Sequence, residues 1–200
     1  MQKKLSDLLI TLKYLIILLS ITVIQQLLED YFSINSTITS KLSKKFYDKR
    51  VELAFIAIVF APFIEEVIFR LPLRKTKLFV FSLLFSLIFI KGFKSLDLIV
   101  SVSVIIYCVI ILYYQFFAEN RIIRCIMISF SVFTFTVVHI SNYAYTELIT
   151  KEYFELILLF LPQLLLGFFS TNLRIKTKFV YSLLLHTMYN ATILCFIYFT

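Results

Sequence analysis

Apolar residues run in long blocks along this chain, and polar residues fall between them. The blocks cover about Leu8–Leu28, Val51–Leu73, Leu78–Ile90, Leu96–Phe117, Cys125–Thr146, Tyr153–Ser170 and Phe179–Phe199. A spanning helix needs roughly 20 predominantly apolar residues. Six blocks approach or exceed that length, and Leu78–Ile90, with 13 residues, is short. The pattern predicts an all-α fold, a polytopic transmembrane helix bundle of about 6–8 membrane helices. The first block follows Lys3 and Lys4, contains Lys13 and lacks a small-residue cleavage site. It reads as a retained span rather than a signal peptide. The polar stretch Glu29–Arg50 is the one long loop, and Glu147–Glu152 is a short link. Residues 1–50 therefore form an N-terminal membrane helix and polar loop, and 51–200 form the core, with no internal repeat.

Composition agrees with this pattern. Of 200 residues, 60% are hydrophobic and 16% charged, and the mean hydropathy is +0.93. Soluble domains carry about 45–50% apolar and about 25% charged residues. A soluble globular domain, a disordered chain and a disulfide-stapled secreted domain are excluded. Two Gly and three Pro argue against a β-barrel, which needs many turns. The net charge of +8 sits in clusters between the apolar blocks, as membrane topology requires, so no nucleic-acid partner is expected. With seven crossings and the N-terminus inside, inner segments carry 11 cations and outer ones 8. Cys108, Cys125 and Cys195 lie inside apolar blocks without a CxxC pair. They read as buried small hydrophobes, with no disulfide or metal cluster. Heavy use of Phe, Ile, Leu and Lys fits an AT-rich bacterial genome, and hence a bacterial plasma membrane.

Polar residues inside the blocks are the candidates for function, because ionisable groups at membrane depth cost roughly 2.5–3.5 kcal/mol each. Glu65, Glu66 and Arg70 form one cluster. Glu66 and Arg70 stand at i and i+4, so the arginine can pair that acid. Glu65 points about 100° away and is free to face a cavity. Pro62 removes a backbone hydrogen bond just before the acids and predicts a kink. The chain has two histidines, His139 and His186, both inside blocks, and Asn190 lies one turn after His186. Glu65, His139, His186 and Asn190 all fall within about 5 Å of the middle of their blocks at helical rise.

A carboxylate and an imidazole that converge can hold and deprotonate a water. A second imidazole and an amide can donate to the oxyanion formed when that water attacks a carbonyl. The set Glu65, His139 and His186 is also an acceptable zinc site. No His-Glu-x-x-His helix is present, which counts against zinc, but the residues by themselves leave a metal-bound water and a carboxylate-activated water both open.

These residues resemble, in order, the three motifs of the CPBP family of intramembrane proteases: Glu65-Glu66-x-x-x-Arg70, Phe135-x-x-x-His139 and His186-x-x-x-Asn190. That family includes the CAAX prenyl endopeptidases and bacterial relatives linked to bacteriocin processing or self-immunity. The resemblance covers about Val51 to the C-terminus and includes Pro162 and Gly167. It implies a buried site that hydrolyses peptide bonds and opens to the cytoplasmic side, with a glutamate mechanism and no metal favoured over a zinc metalloprotease. By position, Glu65 would be the general base, and His139 would help hold the water. His186 and Asn190 would form the oxyanion site, with Glu66 and Arg70 in support. The implied partners are membrane lipid and a peptide or protein substrate, lipidated or membrane-bound. Glu65 and His139 are 74 residues apart, longer than the family's usual spacing, so 78–117 reads as an inserted helical hairpin. Two other readings compete: a non-catalytic immunity or scaffold protein, and a proton-coupled transporter.

Overall fold

The structure, a computed structural model, describes residues 2–31, 50–74, 76–92, 98–117, 120–140 and 153–199. The polar loop through Lys41, Lys44, Lys45 and Lys49, the end of the block at Thr146 and the Glu147–Glu152 link lie outside the described residues. The described part is all-helical: α1 (Gln2–Tyr31), α2 (Arg50–Phe55), a π turn (Ile56–Phe60), α3 (Ala61–Phe69), a 3₁₀ turn (Leu71–Leu73), α4 (Phe79–Gly92), α5 (Leu98–Phe117), α6 (Arg121–Ile140), α7 (Tyr153–Lys176) and α8 (Phe179–Phe199). Among the described residues, five helices, α1, α5, α6, α7 and α8, are long and apolar enough to cross a membrane, and α4 is a shorter apolar helix. The chain is a helical membrane protein.

Helix α7 packs against α6, α8 and α1; α5 packs against α6; α8 also contacts the π turn and α3. Large apolar side chains such as Ile16, Leu87, Phe116 and Phe168 face outward, while Thr11, Ser82, Ser131, Thr134 and Ser170 are buried between helices. This is the inversion expected in lipid, where small polar residues pack helices together and apolar ones meet the acyl chains. Gly167 has that function on α7. A Cβ there would stand 3.0 Å from Phe135 Cδ1, so its absence lets α6 approach.

Several of the predicted blocks need adjustment. Val51–Leu73 is not one α-helix: it passes through the π turn and stops at Phe69. Pro72 has no N–H to continue the α ladder onto Ile68 O, and the Leu73 N–H closes a 3₁₀ turn onto Arg70 O instead (3.3 Å). Tyr153–Ser170 is too short, because α7 continues to Lys176 and takes Arg174 and Lys176 into its last turn. Cations there oppose the negative end of the helix dipole. Helix α6 likewise starts at Arg121, before the predicted Cys125. The cysteines are free, but Cys125 and Cys195 are exposed on the outside of the bundle rather than buried. An apolar solvent outside imposes no need to bury a thiol.

Hydrogen bonds gather one set of helix ends. Tyr181 at the start of α8 donates to Lys4 O at the start of α1 (3.4 Å). Arg74 donates to Ile175 O at the end of α7 (2.8 Å). Gln115, near the end of α5, donates to Pro72 O (2.8 Å) and accepts from Thr76 N (3.2 Å). Helices α4 and α5 thus form an antiparallel hairpin. Exposed Lys3, Lys4, Arg74, Lys77, Arg121, Arg124, Lys176 and Lys178 all belong to this end. It is the same grouping that an N-inside topology assigns to the inner segments.

Candidate active site

The site is built where α3 ends inside the bundle. Helix ends leave carbonyls without intrahelical donors, and in lipid each such group costs several kcal/mol if unmet. Here side chains from four other helices meet them. Phe69 O accepts from Tyr107 Oη (2.9 Å) and Ser131 Oγ (2.7 Å). Arg70 O accepts from Arg174 Nε (3.0 Å), and Leu71 O from Arg174 Nη2 (3.4 Å). Ser82 Oγ donates to Val67 O one turn earlier (2.7 Å). The end of α3 is therefore fastened to α4, α5, α6 and α7, and the acids it carries are held in place.

Glu66 and Arg70 are both fully buried, with Glu66 Oε1 3.8 Å from Arg70 Nε, as their i, i+4 spacing implied. The guanidinium carbon lies 4.4 Å from the centre of the Phe135 ring, a cation–π contact in a dry environment. The Phe135 ring also stands edge-on to Phe69 (5.6 Å) and His186 (5.6 Å), and lies 4.5 Å from the His139 ring. Phe135 is fully buried and is the common floor under the charged groups.

The two histidines reach the acids from different helices, His139 from α6 and His186 from α8. His139 Nδ1 is 2.8 Å from Phe135 O; the carbonyl accepts, so Nδ1 carries the hydrogen. His139 Nε2 then faces Glu65 Oε2 at 3.6 Å. His186 Nδ1 is 3.2 Å from Glu66 Oε1, and a carboxylate accepts there too. His186 Nε2 faces Glu65 Oε2 at 3.5 Å. One carboxylate oxygen and two imidazole nitrogens thus converge on one point. Both separations exceed an ordinary direct hydrogen bond of about 2.7–3.2 Å. Glu65 keeps 16% exposure while His186 keeps 1%.

Glu65, Glu66, Arg70, His139 and His186, five of the six residues singled out by sequence, meet in this way. Asn190 differs in its partner: its Nδ2 donates to Ala57 O in the π turn (2.9 Å). His139 sits in the last described turn of α6, and Thr146, the end of its predicted block, lies outside the described residues. Among the described residues, no group of three or more His, Cys, Asp and Glu side chains is arranged to hold a metal ion. Tyr107, Ser131 and Arg174 were not singled out by sequence. Hydroxyls are frequent in apolar helices, and Arg174 reads as a loop cation until α7 is seen to include it. The available signal was Pro72, which ends α3 and creates carbonyls that need donors.

No protein-family profile, curated protein or solved structure matches this chain.

Proposed function

We propose that this protein is an intramembrane endopeptidase of the kind its resemblance to the CPBP family implies. The observation that carries the reading is Glu65 Oε2 lying 3.6 Å from His139 Nε2 and 3.5 Å from His186 Nε2. A water at that point donates one hydrogen to the carboxylate and one to an imidazole, which leaves a lone pair for attack. Glu65 takes the water's proton as the new C–O bond forms at the peptide carbonyl. His186, carrying a proton on each nitrogen, donates through Nε2 to the developing oxyanion, and Glu66 at its Nδ1 balances that charge. As the C–N bond breaks, Glu65 returns its proton to the leaving amine. His139 is oriented throughout by Phe135 O.

The substrate class is a peptide or protein held in or at the membrane, lipid-modified ones included. The cationic end faces the cytoplasm, and the membrane is the bacterial plasma membrane. No step uses a metal. Zinc is the alternative, with Glu65, His139 and His186 as ligands.

The test is hydrolysis by the purified protein in detergent, compared with Glu65→Gln, His139→Ala and His186→Ala. Each variant loses about 10²-fold or more in rate, the scale of positioned acid–base catalysis. Equal activity in all three overturns the proposal.

A further inference from the structure

Pro62 leaves one carbonyl of the π turn without a backbone donor. Ala57 O pairs with the N–H of residue 61 in an α register and with that of residue 62 in a π register. The Ala61 N–H bonds Ile56 O, and Pro62 has no N–H. The side chain of Asn190 supplies the missing donor, with Nδ2 2.9 Å from Ala57 O. Helix α8 packs on both the π turn and α3, so this bond spans the contact between the strand of chain that carries Glu65 and the helix that carries His186. Glu65 lies three residues past Pro62, and His186 lies four residues before Asn190.

We infer that Asn190 is a positioning residue that acts through the Ala57 carbonyl. Its amide completes the hydrogen bonding of a turn that Pro62 interrupts. It thereby sets the approach of α8 to α3, on which the 3.5 Å separation of His186 and Glu65 depends. The kinetic consequence rests on the peptidase reading; the structural coupling does not. This role differs from oxyanion donation, in which Asn190 would touch the reacting carbonyl.

Pro62→Ala separates the two roles, because it provides a donor for Ala57 O in either register. The residue 62 N–H serves in a π turn, and the residue 61 N–H is released to serve in an α turn. In the Pro62 background, Asn190→Ala and Asn190→Asp each lower kcat by about tenfold or more with little change in KM. In the Pro62→Ala background, Asn190→Ala changes kcat by less than about threefold. An equal loss in both backgrounds overturns the inference and returns Asn190 to the substrate.

A second readout needs no activity. Thermal unfolding in detergent of the wild type, Asn190→Ala, Pro62→Ala and the Pro62→Ala, Asn190→Ala double variant shows a larger drop in Tm for Asn190→Ala with Pro62 present than with Ala at 62. Equal drops overturn the coupling. Coupled Tm values in a protein that cleaves nothing would remove the peptidase reading and leave the coupling standing.

Discussion

The Arg70 guanidinium carbon stands 4.4 Å from the centre of the Phe135 ring. That ring is fully buried among Phe69, His139 and His186, so a change in its position reaches both imidazoles and the buried cation. Gly167 tests this from the other side, since a Cβ at that position meets Phe135 Cδ1 at 3.0 Å. Gly167→Ala adds about 1 kcal/mol of helix propensity, and overpacking against a ring with no room to move removes about 1–3 kcal/mol. The expected result is a net fall in Tm, with kcat falling more than KM rises. Gly167→Val is worse on both measures.

The two adjacent glutamates separate stability from chemistry. Glu66 is the buried partner of Arg70 and of His186 Nδ1. Removing one member of a buried pair costs about 3–5 kcal/mol, because the other charge is left alone. Glu66→Gln therefore lowers unfolding stability on that scale, and Glu66→Gln with Arg70→Met recovers much of it. Glu65 is partly exposed and faces imidazole nitrogens instead, so Glu65→Gln costs well under half as much stability while abolishing hydrolysis. Denaturation in detergent beside the rate assay reads both.

Arg174 holds the end of α3 by donating to Arg70 O and Leu71 O. Arg174→Ala removes the side-chain donor from both carbonyls, although Arg70 O keeps the Leu73 N–H (3.3 Å), and lowers stability by about 1–3 kcal/mol. Arg174→Lys restores charge but not the fork of donors, so it recovers part of the stability at most. Equal stability in the wild type and Arg174→Ala would show that these carbonyls are met in another way.

The long apolar blocks made the helices legible, and i, i+4 arithmetic made the Glu66–Arg70 pair legible. What the chain hid were long-range bonds to backbone. Ser131 reaches Phe69 O across 62 positions and Asn190 reaches Ala57 O across 133, and no local periodicity encodes such partners. The need for them was visible. Pro62 and Pro72 each remove a donor, and an apolar environment leaves no water to replace it. Where α7 ends was misread because Arg174 and Lys176 look like a loop, although cations also close a helix.

Metal dependence has a direct check. With Glu65 and two imidazoles acting on water, o-phenanthroline and EDTA leave the rate unchanged, and elemental analysis of the active protein finds no stoichiometric zinc. Loss of activity on chelation and its return with zinc alone would move Glu65, His139 and His186 into the role of ligands.

In the proposed reaction Glu65 and the two histidines direct a water onto a peptide bond. The most direct measurement incubates the purified protein with a library of membrane-spanning and lipid-modified peptides in ¹⁸O-labelled water, and reads new C-termini by mass spectrometry. The expected result is ¹⁸O in the new carboxylates with the wild type and no new termini with Glu65→Gln. A wild type that makes no new termini, or a Glu65→Gln variant that makes as many, would contradict it.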